Sequence, residues 1–473
     1  MKSTPRGLSS APESGKWRAN KWLALGVVTL GIFIYTLDSG MVGIGFPALI
    51  EAFDSDASTV VWVMNAFFAT SVALLLTAAW FSDVFGRKRL FIAGLVLFLL
   101  ALSGISFSPN IGVLLMFRVL QAAGGSLILA NGNAIATQSF TAAERGKAMG
   151  IIGASIGLGL GLGPWLGGTL LDALDWRALF WTRIPLGVVG IALAAVVLAP
   201  DRGLGKRVQM DYLGPVALCA ALVTALLAIN LSGRLGADHP IVWGLAAGLP
   251  FLIALVISVE RRAPRPVLDL ALFSNRVFSV SQASQILHYI PSGMMTFLGA
   301  FFLLDGLELS ATSAGLVLTM FPLVRVVGSP ASGIISDRLG TRWPTTLGMA
   351  VMGIGFLSLY WVGPGTSMWL VAAALALAGI GAAVWEAPNT ADIMGSVNPD
   401  RLSAASASLA VGRQIALSSG FALGGAVYAL REAYYAERVA SDQAIASAFN
   451  EAMLLAAVIL FAGTAVTYMR GRV

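Results

Sequence analysis

Charge is what this 473-residue chain has least of: Asp, Glu, Lys and Arg make up 11% of it, against roughly a quarter in ordinary soluble domains. A soluble protein of this length could not cover its surface with so few charges, so a soluble globular fold is excluded. Cysteine is nearly absent as well. Cys219 is the only one, and histidine is limited to His239 and His288, far apart in sequence. That removes a disulfide framework and leaves no metal-spaced Cys/His group. No Ser/His/Asp set and no phosphate loop is visible either. The formal charge of +6 raises the question of nucleic acid, but Lys and Arg are scattered over short loops and form no basic arm, so no nucleic-acid partner is expected.

In place of charge stand long apolar runs, with 57% of residues hydrophobic. Spanning a bilayer takes about 20 mainly apolar residues. Runs of that kind fall at 22–50, 58–81, 90–107, 111–138, 146–171, 177–199, 212–231, 241–259, 277–303, 312–335, 343–361, 367–395, 402–429 and 447–469. The spacing predicts an all-α polytopic membrane protein with 14 transmembrane helices. The first run is too long for a secretory signal core and is read as a helix that stays. Loops of one face carry about 22 Lys and Arg against 4 on the other. By the positive-inside rule both termini are then cytoplasmic, in an inner (cytoplasmic) membrane.

The chain repeats itself. Ser82-Asp83-Val84-Phe85-Gly86-Arg87-Lys88 and Ser336-Asp337-Arg338-Leu339-Gly340-Thr341-Arg342 lie about 254 positions apart. At nearly the same offset Glu144-Arg145 answers Asp400-Arg401, and Gly167-Gly168 answers Gly424-Gly425. Two six-helix bundles related by pseudo-twofold symmetry follow, 22–200 and 276–470. A cytoplasmic tail (1–21) precedes them, and a linker (201–275) with two additional helices separates them. In each repeated turn a Gly permits a tight reversal, and an Asp closing one helix can pair with an Arg opening the next.

Several charged residues fall inside apolar runs. Asp38 lies about 24 Å along its helix from Trp22 at 1.5 Å per residue, near the midplane. An ionisable group there is costly and points to function. Burial favours its neutral form and a nearby Arg the carboxylate, so it could exchange a proton for a substrate, with Arg118 as partner. A permanent structural ion pair is the alternative. Glu386 stands in Trp385-Glu386-Ala387-Pro388-Asn389, where Pro388 bends the helix. It suits a hydrophobic-cation site or a second protonation site. Arg325 could pair with Glu386 or attract an anion; Arg413, beside Gln414, could serve a structural hydrogen-bonding role, and Arg183 is left without one. Asn65, Gln121, Asn131, His288, Tyr289 and Trp385 add polar and aromatic groups suited to a substrate cavity. Gly159, Gly163 and Gly167 at i, i+4 let helices approach closely, with Pro164 as a flexible point. The glycines lie within one apolar span, so they are no dinucleotide loop.

Several stretches together resemble the major facilitator superfamily, in its fourteen-helix drug:proton antiporter branch. Ala79-Trp80-Phe81-Ser82-Asp83-Val84-Phe85-Gly86-Arg87-Lys88-Arg89 resembles the turn between the second and third helices, departing at Ala79 and Val84. Leu37-Asp38-Ser39-Gly40 through Pro47 resembles the first-helix signature. Arg118-Val119-Leu120-Gln121-Ala122-Ala123-Gly124 resembles the fourth-helix motif, whose Arg the family associates with proton coupling; Asn131 replaces a common Pro. Gly159-Leu160-Gly161-Leu162-Gly163-Pro164-Trp165-Leu166-Gly167-Gly168 resembles the antiporter motif of the fifth helix. Arg183 stands where an Asn is usual in the sixth. The resemblance implies that Asp83, Gly86 and Arg87, with Asp337, Gly340 and Arg342, form conformational latches.

It further implies a proton-coupled antiporter exporting hydrophobic compounds, cations among them, by alternating access, as a monomer in the lipid bilayer. Asp38, Arg118 and Glu386 would couple protons, and the gradient would be the only energy source, with no cofactor and no metal. The alternative is a dedicated exporter of one metabolite, lipid or anion held by Arg325. A membrane enzyme or receptor would need a catalytic cluster or a sizeable soluble domain.

Overall fold

The computed structural model describes residues 14–141, 144–199, 213–263, 269–398, 401–436 and 438–469. These residues are helical almost throughout. The first half holds α1 (Ser14–Ile44), short α2 (Phe46–Phe53) and α3 (Ala57–Val60), then α4 (Trp62–Phe85), α5 (Arg87–Ser106), α6 (Ile111–Ser139), α7 (Arg145–Ala173), short α8 (Ala178–Trp181) and α9 (Ile184–Val197). A further pair follows, α10 (Leu213–Leu235) and α11 (Pro240–Arg262). The second half holds α12 (Arg276–Phe301), α13 (Ala311–Leu339), α14 (Arg342–Ser358), α15 (Met368–Gly395), α16 (Leu402–Ala436) and α17 (Ser441–Tyr468).

Helix starts follow side-chain caps where the sequence offers them. Asn110 accepts from the Val113 amide at 3.0 Å and opens α6. Asn275 accepts from the Val277 amide at 2.9 Å and opens α12. Such caps satisfy amides that the first helical turn leaves unpaired.

Twelve helices among the described residues are long and apolar enough to cross a membrane. The expected spans 343–361 and 402–429 fall on α14 and α16, which are outside that twelve. α14 is only 17 residues long, and α16 carries Arg413 and Gln414 among small polar residues.

α1 and α7 run parallel and very close. A methyl group added at Gly163 would lie 2.7 Å from the Gly40 Cα, and one at Gly167 3.0 Å from the Met41 Cα. The expected glycine stripe 159/163/167 thus holds α7 to α1 of the same half. Contact with the other half uses different glycines of α7. A methyl at Gly157 would meet Val326 of α13 at 2.5 Å, and one at Gly168 would collide with the Ala311 carbonyl.

Residues 21 and 468 lie at one end of the bundle, and the contacts joining the halves gather toward the other. There Phe46 packs on Phe297 with centroids 5.0 Å apart, and Phe68 stacks on Phe421 at 5.8 Å. Asp172, at the end of α7, accepts from the Ala311 and Thr312 amides of α13 at 3.0 and 2.8 Å. Toward the end carrying the termini, methyl groups at Gly150 and Gly153 of α7 or Gly333 of α13 would meet nothing within 4 Å. Helix α10 covers the α4–α16 seam. A methyl at its Gly233 would lie 2.6 Å from the Ala426 Cα, and its Asn230 donates to the Ser58 carbonyl at 2.7 Å.

Candidate functional site

Pro185 opens α9. Its missing N–H and fixed φ suit a helix start and oppose a continuous run from α8. Arg183 sits at that break, and its side chain turns inward to α1, where Nη1 donates to Asp38 Oδ1 at 2.6 Å. From α6, Arg118 Nη1 donates to Asp38 Oδ2 at 2.6 Å and Gln121 Nε2 donates to Oδ1 at 2.8 Å. Further Arg118 donors reach the Val63 carbonyl at 2.7 Å and the Gln121 Oε1 at 2.6 Å, and Arg183 Nη2 reaches the Leu179 carbonyl at 2.8 Å. Asp38 and Arg118 are 0% exposed and Arg183 is 2% exposed.

A buried ion pair is tolerable only with hydrogen bonding of this extent, although Arg183 Nε itself has no partner among the described residues. The expected Asp38–Arg118 pair is present, and Gln121 belongs to it. Arg183 is the member that sequence reasoning missed. Its signal was there, as a charged residue replacing an amide in an apolar span, but nothing in the sequence fixed its partner.

The second cluster lies in the other half. Arg325 of α13 follows Pro322, and Glu386 of α15 precedes Pro388, two prolines inside helices. Arg325 Nε lies 3.5 Å from Glu386 Oε2, and Arg413 Nη2 of α16 lies 3.8 Å from Oε1. Tyr289 of α12 donates its hydroxyl to Oε1 at 3.0 Å, and the Arg413 guanidinium stands 5.2 Å from the Tyr289 ring centroid.

Behind this group, His288 stacks on Trp385 at 3.9 Å, nearly parallel, and Trp385 Nε1 donates to the Ser284 hydroxyl at 2.8 Å. His288 and Trp385 are buried, so they form the backing of the cluster and present no open face. Glu386 keeps 22% exposure and Arg413 35%. Water therefore reaches the second cluster and is kept from the first.

Asn65 and Asn131 stand apart from both clusters. Asn65 accepts from the Ser418 hydroxyl across the two halves at 3.0 Å. Asn131 donates back to the Leu127 carbonyl of its own helix at 2.8 Å.

The repeated turns are matched in backbone. Gly86 has φ 91° and Gly340 φ 73°, values that favour glycine. The side chains of Asp83 and Asp337 lie outside the described residues. Arg87 donates to the Ala134 carbonyl at 3.4 Å, while Arg342 donates to the Tyr468 carbonyl at 3.1 Å and covers the Tyr468 ring. Nearby, Lys21 donates to both Glu144 oxygens at 2.7 and 2.8 Å, which holds that carboxyl below its usual range.

The sequence model of one family, described as the Major Facilitator Superfamily, matches residues 28–211 and 283–472. The chain is 28% identical over 447 residues to the riboflavin transporter RibZ of Clostridioides difficile (strain 630), covering 94% of this chain and 97% of that protein. It is 27% identical over 417 residues to the multidrug transporter protein MdtP of Bacillus subtilis (strain 168), covering 88% and 76%. Among solved structures, a bacterial homologue of the human drug peptide transporters PepT1 and PepT2 superposes with a TM-score of 0.69 at 16% identity, covering 95% and 98%.

Proposed function

The chain belongs to the Major Facilitator Superfamily, and from that premise we propose that it is a proton-coupled secondary exporter of small hydrophobic organic compounds. In this reading fourteen helices cross an inner membrane with both termini cytoplasmic. Two six-helix halves rock about a midplane site, joined by the linker pair, and the monomer works without a cofactor. Relatives described as a riboflavin transporter and a multidrug transporter support organic small molecules as cargo.

The observation that carries the proposal is the Asp38 triad. A carboxylate at the membrane midplane is held by two guanidiniums from different helices. Taking up a proton there would release two buried cations from their common partner, so protonation must rearrange α1, α6 and α9. A proton can thus drive a change of conformation. With the positive-inside assignment, the end where the halves part faces the cytoplasm, and the state seen is inward-facing. Each entering proton contributes about 2.3 kcal/mol per 100 mV of membrane potential. Glu386, reached by water, is the site at which cargo and a second proton meet, and the two Gly-centred turns on the cytoplasmic side hold or release the halves.

The test uses everted vesicles with a pH-sensitive dye and a panel of hydrophobic cations, neutral drugs and anions. At least one compound should move protons in the wild-type protein, and Asp38→Asn should abolish that movement while the protein still inserts. Undiminished proton movement in Asp38→Asn would overturn the proposal.

A further inference from the structure

The second cluster is short of negative charge. Two guanidiniums, Arg325 and Arg413, share the single carboxylate of Glu386. Both contacts, at 3.5 and 3.8 Å, are longer than an ordinary hydrogen bond of about 2.7–3.2 Å. Among the described residues, the hydrogen bond that Glu386 accepts comes from the Tyr289 hydroxyl. Each guanidinium has five N–H donors, and the buried Nε atoms of Arg325 and Arg413 make no hydrogen bond. The first cluster also holds two guanidiniums to one carboxylate, and Arg183 Nε is likewise unpaired, but there both guanidiniums donate to Asp38 at 2.6 Å and on to backbone carbonyls at 2.7 and 2.8 Å, and the side chains are buried. The second cluster's guanidiniums are held more loosely and are partly open to water, Arg325 being 12% and Arg413 35% exposed.

We propose that the Arg325–Glu386–Arg413 cluster is a seat for the single anionic group, a carboxylate or sulfonate, of an amphipathic cargo. One such group makes the cluster electrically neutral. It takes the donors that Glu386 leaves unused, in the charge-assisted, two-pronged geometry that guanidiniums favour. Half-buried Phe321 on α13 and Leu417 on α16 lie one turn from Arg325 and Arg413 on the same helix faces and suit an apolar body. A cation meets the reverse conditions: an excess positive charge, and a carboxylate already shared by three side chains. This narrows the hydrophobic-cation site expected from sequence. It rests on the exporter reading for the direction of transport, and an inside-negative potential drives an anion outward.

The experiment is equilibrium binding to the purified full-length protein in detergent. The probes are 2-naphthoate, its neutral amide 2-naphthamide and the cation 2-naphthylmethylammonium. Naphthoate should bind most tightly. Arg325→Gln, which removes the excess charge, should weaken it by at least about tenfold, the scale of one charge-assisted hydrogen bond. Arg325→Gln with Glu386→Gln restores one positive charge and should recover most of the affinity, which a merely structural role would not do. Cation binding equal to or tighter than naphthoate, no naphthoate binding, or full affinity in Arg325→Gln each overturns the assignment. Naphthoate binding without proton movement in vesicles would refute proton exchange and leave the seat standing; proton movement with cations alone would do the reverse.

Discussion

Asp38 carries more of the structure than a midplane carboxylate usually does, because two buried arginines depend on it. Removing one partner of a buried ion pair strands the other and costs about 3–5 kcal/mol. Asp38→Asn should therefore lower thermal stability in detergent as well as transport. Adding Arg183→Asn leaves one buried cation in place of two, with Gln121 and the Val63 carbonyl still accepting from Arg118. Part of the lost stability should return, with no recovery of transport. A double variant no more stable than Asp38→Asn alone would mean that Arg183 does not lean on Asp38. At this scale the site was half legible. Asp38 and Arg118 stood out because a charge in an apolar run demands a partner. Arg183 lies 145 positions from Asp38, and spacing of that length carries no contact information. Arg413 was obscure for the same reason. The aromatic and polar residues expected in a cavity divide: Tyr289 touches Glu386, whereas His288 and Trp385 are backing.

Among the elements, α7 and α13 decide how the halves meet. Asp172 on one half accepts from the first two amides of the helix on the other, where the helix dipole also favours a carboxylate. Loss of a capping interaction costs about 0.5–2 kcal/mol, and one or two kcal/mol shifts an equilibrium by about 5–30-fold. Asp172→Ala should open the far end by that order. Labelling of a cysteine placed at Thr312 by a membrane-impermeant maleimide, with Cys219 replaced by Ala, would report it. An unchanged labelling rate would remove Asp172 from the gate. The glycines of α7 had suggested sliding between helices. In the structure one set fixes α7 to α1 and another meets α13, because positions 157 and 168 point away from the 159/163/167 stripe on a helix of 3.6 residues per turn.

For the whole molecule, closure at one end and separation at the other is the arrangement that the proposed rocking requires. Gly43→Cys with Thr296→Cys, in a Cys219→Ala background, places two thiols where a methyl on Gly43 would lie 3.0 Å from Thr296. Oxidation should stop transport and dithiothreitol should restore it. Full transport with the cross-link complete would exclude rocking about this contact.

The sequence alone determined that the chain lives in a bilayer, that it repeats after about 254 positions, and that Gly86 and Gly340 turn sharply in matched loops. Those are local properties: hydropathy over about 20 residues, or the freedom of one glycine. Only the tertiary structure decided that Arg183 joins Asp38, that Arg325 and Arg413 converge on Glu386 with charge to spare, and that Asp172 caps a helix of the opposite half. Each of these depends on which helices become neighbours, and helix packing in lipid is set by close fit between small residues far apart in the chain.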